Sequence, residues 1–103
     1  MYLCSMKQIS YKALESWKSS GEDYALIDVR EDYEHDTFNI GGTLIPLGDV
    51  MSRKDEFNIT GKPVVVYCKR GIRSQIAIQR LQASFPNVDF YNLDGGIYHL
   101  IYS

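Results

Sequence analysis

No apolar run in this 103-residue chain approaches the length of about 20 residues that a membrane-spanning helix needs. The opening Met1-Tyr2-Leu3-Cys4-Ser5 lacks the basic start and long apolar stretch of a secretory signal, so a cytoplasmic location is the default expectation. Cysteine is scarce. Cys4 and Cys68 are the only two, too few for a disulfide framework, and in a reducing compartment both are expected as thiols. With His35 and His99 they show none of the paired short spacings of a zinc site, so neither metal nor cofactor is expected. Positive charge is not in excess either: the formal net charge is −2, which argues against nucleic acid as a partner. Repeats, low-complexity tracts and linkers are missing, and the length holds one domain, residues 1–103.

What is present is an ordinary globular composition, 45% hydrophobic and 23% charged, with one conspicuous basic cluster. Pro63-Val64-Val65-Val66-Tyr67 reads as a buried strand and ends in Cys68. Then come Lys69, Arg70, Gly71, Ile72, Arg73 and Ser74, a tight loop with three cations within five residues of the sulfur. Beyond it Ile72, Ile76, Leu81 and Phe85, widened by Ala77 and Ile78, fall near helical spacing on an apolar face. A loop between a strand and a helix start aims backbone N–H groups and the positive helix end at one point. A helix N-terminus contributes at most about 2 kcal/mol to an anion; loop amides and the three cations would add to that for a thiolate. The sequence therefore predicts Cys68 as a nucleophile. The plainer alternative is a structural cysteine closing a core strand, followed by a solvated basic turn.

In chain order, Met6–Ile9 suits a short strand. Ser10 suits the N-cap of a helix over Tyr11–Ser19, with Ala13, Leu14 and Trp17 on one face, closed by Ser19-Ser20-Gly21. Ala25–Val29 is apolar on both faces and predicts a central parallel strand. Asp28 and Arg30 stand at its carboxyl end, where open α/β sheets bind ligands, and are expected to support the site structurally. Residues 31–39 suggest a short helix with Tyr33 and Phe38 turned inward and His35 on the surface. Thr43–Ile45 gives a brief strand ended by Pro46, and Leu47–Arg53 another short helix. Val88–Leu93 makes a last strand, Asp94-Gly95-Gly96 a turn, and Ile97–Tyr102 a terminal helix carrying His99 as an edge residue. The alternation implies a mainly parallel sheet of about five strands with helices on both faces, placing 28–31, 68–74 and 94–96 on one edge.

These segments carry a family resemblance. Ile27-Asp28-Val29-Arg30-Glu31, Ile45-Pro46-Leu47, Val66–Ser74 and Leu93-Asp94-Gly95-Gly96-Ile97 together resemble the single-domain rhodanese family, from about residue 6 to the C-terminus. The resemblance implies an α/β rhodanese-like fold and sulfur transfer. Cys68 would take sulfur from thiosulfate or a similar sulfane-sulfur donor as a persulfide, then pass it to cyanide or a small or protein thiol. The loop amides of residues 69–73 would cradle the sulfur, and Lys69, Arg70 and Arg73 would attract the anionic donor. Arg73 would also be a candidate to brace the loop against Asp28. Two departures concern packing: Asn39–Thr43 replaces a Gly-His-Ile segment with Gly-Ala, and Leu100 stands where a tryptophan is usual.

A phosphatase or arsenate reductase of similar fold also places a cysteine at a helix start, but with five residues between cysteine and arginine. Four intervene here, Lys69 to Ile72, and a shorter loop suits a single sulfur atom. A non-catalytic binding module, or a carrier serving one dedicated protein, are the remaining alternatives.

Overall fold

A computed structural model describes residues 6–102, so Cys4 lies outside the described residues. Five strands form one all-parallel sheet: β1 (Lys7–Ile9), β2 (Ala25–Asp28), β3 (Thr43–Leu44), β4 (Pro63–Tyr67) and β5 (Asp89–Leu93), in the order β1-β5-β4-β2-β3. Four α-helices accompany them: α1 (Tyr11–Ser19), α2 (Asp32–Thr37), α3 (Ile72–Gln82) and α4 (Tyr98–Ile101). No helix among the described residues is long and apolar enough to cross a membrane.

The valine run explains the centre. β4 lies between β5 and β2, and Val64, Val65, Val66 and Tyr67 are all fully buried. A strand covered on both faces needs no polar alternation. Val64, Val66 and Cys68 face a cluster containing Ala77, Ile78 and Leu81 of α3. Val65 and Tyr67 face the opposite cluster, with Ile9, Leu14, Leu93 and Ile97. The Ser10 hydroxyl caps α1 by accepting from the Ala13 N–H at 3.0 Å, as the sequence implies.

Several expectations need correction. Ile72 opens α3 with 65% of its surface exposed, because it lies at the loop mouth before the helix meets the sheet; buried Ser74 takes the inner position instead. α2 is a single six-residue stretch, and Tyr33 and Phe38 are exposed at 68% and 38%. So short a helix has no complete apolar stripe; it is held by its polar side, where Glu31 and Glu34 form a reciprocal capping box. Residues 47–57 form two 3₁₀ turns, Leu47–Asp49 and Lys54–Phe57, in place of one α-helix over Leu47–Arg53. Phe57, fully buried, anchors the second turn.

Past β2 the chain reverses around a buried carboxylate. Asp28 accepts from the Arg30 backbone N–H at 3.0 Å, and from Arg30 Nε and Nη2 at 2.9 and 2.7 Å. His35 Nδ1 lies 2.8 Å from Asp28 Oδ2, the oxygen that Arg30 Nη2 also meets, which places His35 as a half-buried partner of Asp28 and not the surface residue expected from its acidic neighbours. Burial is the largest single influence and works against the Arg30 charge, but hydrogen bonding to Asp28, the Coulomb attraction of its carboxylate and the contribution of Tyr67 together outweigh it and raise the Arg30 pKa. Removing one partner of a buried pair strands the other charge, at about 3–5 kcal/mol. Asp28→Ala should therefore lower unfolding free energy by about that amount in urea titration. The double replacement Asp28→Leu/Arg30→Met should recover most of it.

Candidate functional site: a thiol at the N-terminus of α3

The parallel sheet brings the carboxyl ends of β2, β4 and β5 to one edge, where Cys68 follows β4 directly. Its sulfur is 1% exposed as a residue and is met by backbone donors. The Gly71 N–H points at Sγ from 3.1 Å and the Ser74 N–H from 3.4 Å. Ser74 Oγ also lies 3.4 Å away. A shallow cavity of about 230 Å³ opens above, lined by Cys68, Lys69, Arg70, Ile72 and Arg73.

Two glycines make this geometry possible. Gly71, the N-cap of α3, has φ +90, a conformation costly for residues with a Cβ, and this bend turns its own N–H back onto the sulfur. Gly96 has φ +62, and a Cβ there would collide with the carbonyl oxygens of Cys68 and Lys69. Its bare backbone lets the 94–98 turn close on the loop. Ile97 N–H then donates to Cys68 O at 3.2 Å and Tyr98 N–H to Lys69 O at 2.8 Å. With those carbonyls tied down on the far side, the loop presents donors to the sulfur. This gives the Asp94-Gly95-Gly96 turn a physical reason.

The cations are placed differently from expectation. Arg73 does not brace the loop against Asp28, whose oxygens are taken by Arg30 and His35. It makes a two-pronged bond to Glu34 of α2, Nη1 to Oε1 at 2.7 Å and Nη2 to Oε2 at 3.0 Å. The Arg73 bond, with burial opposing it, holds the Glu34 carboxyl down at about 2. Arg70 stacks its guanidinium over the Tyr98 ring at 4.4 Å, and Lys69 Nζ stands over Tyr102 at 5.1 Å. All three cations rim the cavity while backbone N–H groups contact the sulfur. The sequence reading missed Glu34, Tyr98, Tyr102 and Asn92. The last had one visible signal, an amide set between Tyr91 and Leu93 near the end of a strand; its oxygen accepts from Ser74 Oγ.

A five-stranded parallel sheet with a thiol in the loop between β4 and α3 defines a class of α/β domains that present a cysteine at a helix start. The rhodanese-like domain family model matches residues 10–100, and the chain belongs to that family. Among curated proteins it is 39% identical over 83 residues to the uncharacterised protein YqhL of Bacillus subtilis, covering 80% of this chain and 64% of that one. It is 37% identical over 92 residues to MoeZ of Mycobacterium tuberculosis, named as a probable adenylyltransferase/sulfurtransferase, covering 86% of this chain and 23% of that one. The chain thus spans less than two thirds of either relative. Of solved structures, a rhodanese-like domain protein from Staphylococcus aureus superposes with TM-score 0.79 at 26% identity, over 90% of this chain and 89% of that one. Ygr203w, a yeast protein tyrosine phosphatase of the rhodanese family, shares the fold with TM-score 0.74 at 15% identity, over 96% of this chain and 86% of that one.

Two outcomes test this geometry. Gly96→Ala should cost several kcal/mol in stability, because positive φ and a backbone collision coincide, and should slow Cys68 alkylation by loosening the loop; measuring both by denaturant titration and thiol labelling checks the link. For Glu34, a folded pKa near 2, below the ordinary 4.5, means its ion pair contributes fully above about pH 5. The contribution drains away as pH falls through about 2. The stability advantage of the native chain over Glu34→Gln should accordingly be constant from pH 7 to about 5 and shrink steadily below.

Proposed function

We propose that Cys68 carries sulfur as a persulfide. The thiolate attacks the outer sulfur of thiosulfate or a similar sulfane-sulfur donor. An S–S bond to Sγ forms as the donor's own S–S bond breaks, and sulfite leaves with the bonding electron pair. A thiophilic acceptor, cyanide or a thiol, then attacks the outer sulfur and the electron pair returns to Sγ. Cyanide leaves as thiocyanate.

The observation that carries this reading is the pair of N–H groups of Gly71 and Ser74 converging on one sulfur. Preorganised donors stabilise charge as it develops, and a persulfide anion needs them close. Lys69 and Arg70 at the cavity rim supply the attraction for an anionic donor. The family and the sulfurtransferase name of MoeZ point the same way. A phosphatase reading is less well supported: a phosphate clamp needs a free guanidinium fork, and that of Arg73 is occupied by Glu34.

Cys68→Ser should abolish thiocyanate production from thiosulfate and cyanide while leaving the circular dichroism spectrum unchanged. Retained transfer would move the chemistry to Cys4. Arg70→Ala should raise the KM for thiosulfate on the order of fivefold, the worth of one exposed charge, with folding unchanged. An unaltered KM would show that its charge is incidental.

A further inference from the structure

Four polar or charged side chains among the described residues are buried: Asp28, Arg30, Ser74 and Asn92. The first two neutralise each other. Ser74 and Asn92 instead form a chain that begins at the sulfur. Ser74 Oγ, 3.4 Å from Cys68 Sγ, donates to Asn92 Oδ1, and Asn92 Nδ2 donates to Gln8 Oε1 at 2.8 Å. Asn92 is fully buried in β5, with Gln8 and Val66 as its neighbours across the strands. A leucine there would pack without the desolvation cost of an amide. Gln8, by contrast, is exposed at the sheet edge.

The direction of this chain matters. With its single proton on Asn92, the Ser74 hydroxyl turns lone pairs toward Sγ. That arrangement accepts from a thiol S–H and opposes a thiolate. We propose that Asn92 and Gln8 are positioning residues that set which way the Ser74 hydroxyl points, and so the charge that Cys68 carries. When the Cys68 proton leaves to solvent, the Ser74 O–H rotates onto Sγ. The Asn92 amide turns over so that Nδ2 donates to Ser74 Oγ, and Gln8 turns so that its amide N–H donates to Asn92 Oδ1. No other covalent bond is made or broken. Each step is a rotation about a terminal torsion, and the last lies at the exposed Gln8, where water accommodates it. The use of this device in turnover rests on the persulfide reading, but its operation is visible on the resting thiol.

Other charged and titratable groups lie on the elements packed around the site. Lys69, Arg70 and Arg73 come from the loop and α3, Glu34 of α2 acts through Arg73, Asp28 ends β2, and its partners Arg30 and His35 follow it. His99, Tyr98 and Tyr102 belong to α4 and its C-cap, and the Lys7–Asp89 pair joins β1 to β5. The test must separate the hydrogen-bond chain from these fields.

The pH profile of Cys68 alkylation by iodoacetamide, mapped to the Cys68 peptide in the full chain, makes that separation. Gln8→Glu ends the chain in an acceptor, which holds Asn92 Oδ1 on Ser74; the midpoint should rise by about one unit, the scale of one hydrogen bond to a charge. Gln8→Lys ends it in a donor, and the midpoint should fall by a similar amount. Both shifts should persist in about 1 M salt, where the screening length is about 3 Å, and both should vanish in a Ser74→Ala background. Shifts that are absent, that disappear in salt, or that survive Ser74→Ala would overturn the proposal. Melting curves of the two Gln8 variants should match the native chain, as befits an exposed site. Failure of sulfur loading from thiosulfate alongside the stated shifts would sink the persulfide reading and leave the chain of hydrogen bonds standing.

Discussion

The Gly71 N–H lying 3.1 Å from Cys68 Sγ is the contact on which the rest of this molecule depends. It exists only because the chain takes φ +90 at Gly71 and α3 starts immediately after. That bend is held by what happens on the other side of the loop, where Gly96 lets Ile97 and Tyr98 donate to the carbonyls of Cys68 and Lys69. Each peptide in the loop has one donor and one acceptor. Tying the acceptors to the last turn of the fold frees the donors for the sulfur. The parallel sheet's contribution is to deliver β4 and β5 side by side so that this tie can form.

The cations have a different part. Three positive side chains so near a thiol suggest direct charge stabilisation, yet each is engaged elsewhere: Lys69 and Arg70 on tyrosine rings, Arg73 on Glu34. They form a positive rim around a sulfur that is held by dipoles. This division suits an anionic donor, because the rim acts at a distance and the N–H groups act on contact. Glu34 also connects the loop to the chain reversal after β2. Its helix is held at one end by the buried Asp28, through Arg30 and His35.

Most of the architecture was legible in the sequence because it depends on local patterns. The Val64–Val66 run, the Ser10 cap and the glycine turns each specify an element through packing or backbone conformation within a few residues. The five-stranded parallel sheet followed from their alternation. The errors came where a side chain had several partners within reach. His35 sits among acidic neighbours in sequence, and only the chain reversal shows that Asp28, seven residues back, is its partner. Arg73, expected at Asp28, pairs with Glu34 because Arg30 and His35 fill the Asp28 carboxylate. Tyr33 and Phe38 looked like an inward face, but α2 is too short to bury one and is held by capping and ion pairs instead. Asn92 is the instructive omission. A polar residue within a buried strand marks a place where packing alone is not the whole purpose, and it led from the thiol to the sheet edge.

Intact-protein mass spectrometry after exposure to thiosulfate tests the central claim most directly. Persulfide formation on Cys68 predicts a gain equal to one sulfur atom, located on the Cys68 peptide and removed by a cyanide chase. A chain that gains no sulfur, or gains it on Cys4, while Cys68 remains open to alkylation would contradict it.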